Sequence, residues 1–478
     1  MPLIDVAPLG PDELPLPMGI MAASGSLLAK LDPAALAVID QDEGGVQARG
    51  QAENTDFLAV ADVDPNDLTQ AGWAILFPQG QDPAVRAALE PLIEHRRRQV
   101  NDSTLFRIFD GVQSYRPGDT ARSWLERFRL GFAVVDPVLG VPLYVTLVGG
   151  PDEIPFEFQY LLDTYWCVGR LAFDTPAEYR AYAEKLVAYE TAPTIAQAKR
   201  VAVFSVANLG DRATALLHNQ VAVPLVEGTA SSRPLGERQK YVIQSYLGDH
   251  AGKDNLTRLL AGQEPGGAPA LLFTGSHGLD YPLGDPLQRE RQGAIVCQDW
   301  EGGPVQPEHC FAAPDIGPDT RLDGLIHFFF ACYGGGCPTT DTYARPGGVP
   351  QQIMDKPIIA RLPQKMLAAG ALASVAHIDR AWSYSFQVGR GAPQVQEFRD
   401  LMVRLLRGDR VGQAADQFNL RWTVLSAELT DALRQRDDAP GMVADAVLAN
   451  RWVARDDARN YLILGDPAAR LRFEDMQD

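Results

Sequence analysis

Apolar residues along the chain fall into short blocks that alternate between two periods. Trp73-Ala74-Ile75-Leu76-Phe77 is an unbroken run of strand length, and Asp82-Pro83 after it supplies a helix N-cap and a first-turn proline. Val85, Leu89, Leu92 and Ile93 then share one helical face. The succession recurs: a helical stretch at 124–128 precedes an apolar strand over 143–149, and Thr175-Pro176-Ala177-Glu178 has the form of a capping box opening a helix to about residue 190. After the loop-like 191–194, strands are predicted over 201–205, 270–274, 325–331, 371–376 and 461–464. Val395, Phe398, Leu401, Met402, Leu405 and Leu406 give a helical face, and 415–434 reads as a second helix beside it. Strands alternating with helices predict an α/β fold with mostly parallel sheets flanked by helices. Two α/β subdomains are expected, a smaller one over 66–195 and a larger one over 196–478. Residues 1–65, rich in Pro, Gly, Asp and Ala, read as an extended arm or pro-segment.

Composition narrows the classes. The chain has 478 residues, 46% of them hydrophobic, enough for more than one lobe. A net charge of −18 excludes a nucleic-acid phosphate footprint and would attract a basic peptide. No basic residue precedes an apolar run in 1–28, and no stretch of about 20 apolar residues occurs, so neither secretion nor membrane insertion is expected. Five cysteines, an odd number without regular spacing, fit a reducing, cytoplasmic setting better than a disulfide framework. Cys297, His309, Cys310, Cys332 and Cys337 lie near one another in sequence, yet their spacing lacks the paired ligands of a zinc site, so no metal or other cofactor is expected.

In an open α/β sheet, ligands bind beyond the carboxyl ends of the strands. Two buried strands end in reactive residues. The strand over 270–274 runs into Gly275-Ser276-His277-Gly278, and the strand over 325–331 runs into Cys332-Tyr333-Gly334-Gly335-Gly336. A thiol needs only a neighbouring imidazole to become a nucleophile near neutral pH. Cys332 is therefore the candidate nucleophile and His277 its base and later acid, with the Gly278 and Cys332 N–H groups as donors to an oxyanion. A lone cysteine after an apolar strand is most often a small buried hydrophobe, and a lone histidine in a glycine loop a turn residue. Their occurrence together at successive strand ends favours catalysis. His377, after the strand over 371–376, is a substitute base.

With these motifs in place the chain resembles the caspase-like cysteine peptidases, in which Ser/Gly-His-Gly after one strand is followed about fifty residues later by Ala-Cys-x-Gly after another. Ser276-His277-Gly278 and Ala331-Cys332-Tyr333-Gly334 match, whereas Phe330 replaces the glutamine of caspases, so the preference of caspases for Asp is not implied. Within that group it is most similar to the gingipain family and its bacterial relatives, through 147–155, Val168-Gly169-Arg170-Leu171, 185–190 and Leu464-Gly465-Asp466-Pro467-Ala468, the last shared with CHAT-type domains. The resemblance implies a caspase-like, gingipain-like fold and endopeptidase activity on a protein or peptide substrate. It further implies Asp163 and Trp382 at an S1 pocket for Arg or Lys, and Glu153 or Asp152 as the residue orienting His277. Lys30 and Arg49 are candidate points of activating cleavage. The rival expectation is a catalytically weak caspase-like scaffold or partner-binding module. Oligomeric state is not legible.

Overall fold

The predicted strands form because their runs are apolar on both sides, as a sheet covered on both faces demands. The computed structural model describes residues 3–7, 15–29, 59–262, 266–318, 320–387, 395–439 and 441–477. A short strand β1 (Gly19–Met21) precedes β2 (Trp73–Leu76), helix α1 (Glu90–Val100), β3 (Phe106–Phe109), β4 (Tyr144–Val148), α2 (Phe156–Leu162), β5 (Cys167–Leu171) and α3 (Pro176–Thr191). Next come β6 (Arg200–Ser205), α4 (Arg212–Leu217), β7 (Val242–Leu247), β8 (Leu271–Gly275), β9 (Gly278–Asp280), β10 (Ile295–Val296), β11 (Cys310–Phe311) and β12 (Ile326–Phe330). The chain closes with α5 (Arg361–Ala368), β13 (Ala373–His377), α6 (Gln396–Leu406), α7 (Asp416–Asp438), α8 (Asp445–Arg459) and β14 (Tyr461–Gly465).

Instead of two sheets there is one of ten strands, in the order β3-β2-β4-β5-β14-β13-β12-β8-β6-β7. The strands of 66–195 form one parallel set, and β13, β12, β8, β6 and β7 form another. The C-terminal strand β14 joins the sets, antiparallel to β13. Sequence patterning marks strands but not which strand bridges two sets. At the centre, Phe328 meets Phe398 of α6 edge-on at 5.2 Å, and Phe418 of α7 stacks on Tyr461 at 4.3 Å. Each such phenylalanine contributes roughly 1.5–3 kcal/mol by leaving water.

Helix α3 starts as expected, with Thr175 Oγ1 accepting from Glu178 N. Glu178 reaches back to Asp174 N (3.2 Å) instead of Thr175 N, and its carboxylate is also held by Arg361 and Lys365 of α5. Within this sheet, β3, β5 and β7 were not evident in the apolar pattern, nor was helix α8 before β14. β3 mixes arginine with phenylalanine, β7 is a partly exposed edge strand, and β5 carries Gly169 and the buried Arg170. That guanidinium is satisfied by Gln159 Oε1 and by the carbonyls of Gly149 and Ile154. Helix α8 hides because its buried face includes Arg455, Asp456 and Asp457.

Candidate functional site

Strand register sets two loops side by side. Gly275, the last residue of β8, pairs with Phe330, the last residue of β12. His277 and Cys332 each stand two residues beyond that pair, and both are fully buried. A Cβ on residue 278 would run into the Cys332 carbonyl, so only glycine lets the two loops approach this closely. Tyr333, the residue after the cysteine, has φ 58° and donates from its N–H to Asp379 O at 2.7 Å, turning the chain sharply away from the strand.

The histidine is oriented by a residue that the sequence reading missed. His277 Nε2 hydrogen-bonds Asp211 Oδ2, while the same carboxylate accepts from Thr214 Oγ1 at 2.9 Å and caps α4 through Ala213 N at 3.0 Å. Burial works to raise the Asp211 pKa, but His277, Thr214 and the cap together hold it below the ordinary value. Among the described residues His277 Nδ1 has no hydrogen-bond partner. Asp211 was legible in principle: it follows β6, which pairs with β8, so it leaves the same sheet edge as His277 one strand over. Glu153 and Asp152 are not at this position. Glu153 folds back on Gly150 N (3.0 Å), and Asp152 pairs with Lys356 (2.9 Å).

Cys332 Sγ faces the backbone of Ala381, accepting from its N–H at 3.3 Å and donating to its carbonyl at 3.5 Å. Burial pushes the thiol pKa well up, against the opposing pull of Arg380 and the Ala381 N–H, so the resting group is a neutral thiol. The Ala381 strap is held from behind by Asp457, which accepts from Trp382 N (2.8 Å) and Ser385 Oγ (2.6 Å). Trp382 is therefore beside Cys332 through its backbone, while its ring packs on Tyr343 at 5.0 Å. His377 belongs to this support, with Nε2 3.0 Å from Asp457 O and 3.2 Å from Asp457 Oδ1.

The N–H groups of Gly278 and Cys332 converge on one acceptor: both donate to Met18 O at 2.9 Å. Two backbone donors at that distance from one carbonyl oxygen are what stabilise the oxyanion of acyl transfer. Cys332 and the strap around it are covered by residues 15–29 of the arm, part of the stretch expected to be an extended arm or pro-segment. Lys30 and Arg49 lie outside the described residues.

Asp163 is not brought to the cysteine. It ends α2, and its Oδ1 accepts from Val168 N at 2.9 Å, at the start of β5. Neighbouring Cys167 lies with Pro467 against Gly412. Pro467 is just past β14, where Gly465 pairs with Ala373, the first residue of β13. Cys332 follows the opposite end of β12, which runs parallel to β13. Burial without an ion-pair partner raises Asp163 to about 7, fitting a local cap rather than the floor of a cationic pocket. No group of three or more His, Cys, Asp or Glu residues suited to a metal ion occurs among the described residues, and all five cysteines are free and buried.

No protein-family model matches the sequence, and no curated protein matches it either. Among solved structures, the chain is similar to one described only as a protease, at 12% identity over 89% of this chain and 80% of that one, with a TM-score of 0.49. It is also similar to the Arg-specific cysteine proteinase gingipain R, at 11% identity over 84% and 79% of the chains, TM-score 0.43. A complex of the pro- and mature domains of the Porphyromonas gingivalis enzyme aligns with the same identity and TM-score, over 84% and 80%. The gingipain matches name the family that the sequence motifs resemble. At TM-scores below 0.5 these likenesses carry no weight for function, and the site must be read from its own geometry.

Proposed function

We propose that the chain is a cysteine endopeptidase with Cys332 as nucleophile, His277 as general base and acid, and Asp211 as the residue that positions the imidazole. One observation carries the reading: the N–H groups of Gly278 and of Cys332 itself meet on a single peptide carbonyl, beside a buried His277–Asp211 pair on the adjoining strand ends. Asp211 accepts a hydrogen bond from Nε2–H and so leaves Nδ1 as the basic nitrogen. That nitrogen takes the thiol proton as sulfur attacks, and the converging N–H groups hold the tetrahedral oxyanion. The imidazolium then protonates the leaving amine, and water hydrolyses the thioester by the reverse sequence. Five free cysteines suit a reducing compartment such as the cytoplasm. The basic P1 preference inferred from resemblance rested on Asp163 and Trp382, and it loses the support of Asp163 with that residue's position.

Hydrolysis of a fluorogenic peptide panel with Arg, Lys, Asp, Leu or Met at P1, with Cys332→Ala as control, tests the reading. Turnover that disappears in Cys332→Ala is expected. Absence of turnover with every peptide, together with failure of Cys332 to react with a peptidyl acyloxymethyl ketone, would leave the scaffold reading instead.

A further inference from the structure

Residues 16–19 cross the site in the manner of a bound peptide, and we infer that the Met18–Gly19 bond is this enzyme's own first substrate and that its S1 pocket takes an unbranched apolar side chain. The inference rests on the peptidase reading and adds a substrate class to it. Four observations converge. First, the arm pairs antiparallel with the strap beside Cys332: Met18 N donates to Ala381 O (2.9 Å), and Leu16 O accepts from Ser383 N (3.1 Å). Pro17 sits between them, at the alternate position where a strand residue needs no N–H toward its neighbour, so proline costs no bond. Second, Met18 O is the acceptor on which Gly278 N and Cys332 N converge, which makes Met18 the residue whose carbonyl the thiol would attack.

Third, a Cβ on residue 19 would come within 2.9 Å of Cys332 Cβ and Sγ. The nucleophile is thus packed against the junction of residues 18 and 19, and glycine on the leaving side is what permits the approach. Fourth, the Met18 side chain is completely buried and belongs to the main apolar core. A linear thioether fills such a slot without a charge partner.

The two sides of the bond are held differently. Gly19–Met21 is β1, paired parallel with β9 in a small sheet with β10 and β11, and Gly19 O accepts from Leu28 N at 2.9 Å. Arg380 anchors the same hairpin at Ala29 O. The leaving side is therefore part of the body and stays after cleavage, whereas loss of residues up to 18 opens the strap for a second substrate. In the step itself, Sγ bonds to the Met18 carbonyl carbon and the C–N bond to Gly19 breaks. The thiol proton passes through His277 to the Gly19 nitrogen. Water then adds its hydroxyl to the acyl carbon and its proton to sulfur, giving a Met18 carboxylate and the free thiol.

Intact-mass spectrometry and N-terminal sequencing of the full-length protein test this, alongside Cys332→Ala, Met18→Leu and Met18→Arg. Wild type and Met18→Leu are expected to yield a chain starting at Gly19, Cys332→Ala to stay uncut, and Met18→Arg to be processed at least tenfold more slowly. Acetyl-Leu-Pro-Met coumarylamide should be hydrolysed with at least tenfold higher kcat/KM than its Arg counterpart, a comparison that does not depend on the folding of any variant. Faster processing of Met18→Arg together with preference for the Arg peptide would overturn the inference and keep the peptidase, pointing to Asp280 or Asp379, both close enough to influence the Cys332 thiol, as partners for a cationic side chain. Peptide hydrolysis by a protein that never shows a Gly19 terminus would also overturn it. No hydrolysis by any form would remove the peptidase reading itself.

Discussion

Of the three buried histidine–carboxylate pairs among the described residues, those of His95 and His277 are built to different ends. His95 Nε2 lies 2.6 Å from Glu190 Oε2, linking α1 to α3. Around that pair every neighbour is engaged: Arg96 donates to both Glu190 oxygens (2.6 and 2.8 Å) and to Asp466 Oδ2 (2.6 Å). Asp466 also takes Trp73 Nε1, Thr146 Oγ1 and the Ala468 N–H through its other oxygen. The cluster ties the start of β2, the middle of β4 and the turn after β14 into one unit. His277 and Asp211 are equally buried, yet there the carboxylate is saturated and the imidazole is not, since Nδ1 has no partner among the described residues. Saturation marks a clamp; an unpaired Nδ1 is shared by His327 and His377, so what sets His277 apart is its place two residues past the β8–β12 pair, level with the proposed nucleophile.

The largest expected effect comes from breaking the second pair without disturbing its cap. Asp211→Asn retains an oxygen for Ala213 N, and asparagine caps helices about as well as aspartate, so the melting temperature should stay near wild type. The amide no longer fixes the Nε2 proton or stabilises imidazolium. On a peptide substrate kcat should fall by about 10²- to 10⁴-fold with KM little changed. A merely structural Asp211 would give the opposite pattern, a lowered melting temperature with kcat of the folded fraction intact.

The asymmetry between the pairs also explains what could be read in advance. Seven of the ten strands of the large sheet were legible, as was the placing of Cys332, His277 and the two N–H groups at its edge, because long apolar runs ending in glycine loops advertise a strand and the turn beyond it. Asp211 was not singled out because Asn208-Leu209-Gly210-Asp211 reads as an ordinary helix start, and its second role exists only through the pairing of β6 with β8. Asp163, Glu153 and Asp152 were assigned by resemblance, and each carboxylate is spent locally, on Val168 N, Gly150 N and Lys356. The arm looked structureless because residues 16–21 have no core of their own. Apart from the local bridge of Ile20 to Leu27, they pair with the strap and β9, supplied by residues more than 250 positions away.

Breaking the clamp should cost stability rather than rate. Arg96→Met removes the cation and leaves Glu190 and Asp466 buried without it, a change of about 3–5 kcal/mol in unfolding free energy by urea titration. The folded fraction should keep its kcat, and a loss of kcat at unchanged stability would mean that the clamp and the site are coupled. The smallest effect is in how that cost depends on pH. Burial alone would raise Glu190, but the Arg96 charge and the bonds from Arg96 and His95 hold it well below the ordinary 4.5. A carboxyl depressed in the folded state contributes stability that is complete above its unfolded value and is lost as pH falls through the range beneath it. Wild type should therefore lose stability steadily as pH drops from about 5 to about 3, while Arg96→Met, lacking the charge that depresses Glu190, loses less over the same interval. The two urea midpoints should converge toward pH 3. Parallel curves would show that Glu190 is held ionised by something other than Arg96, with His95 and Gln99, which also bond its Oε2, the next residues to change.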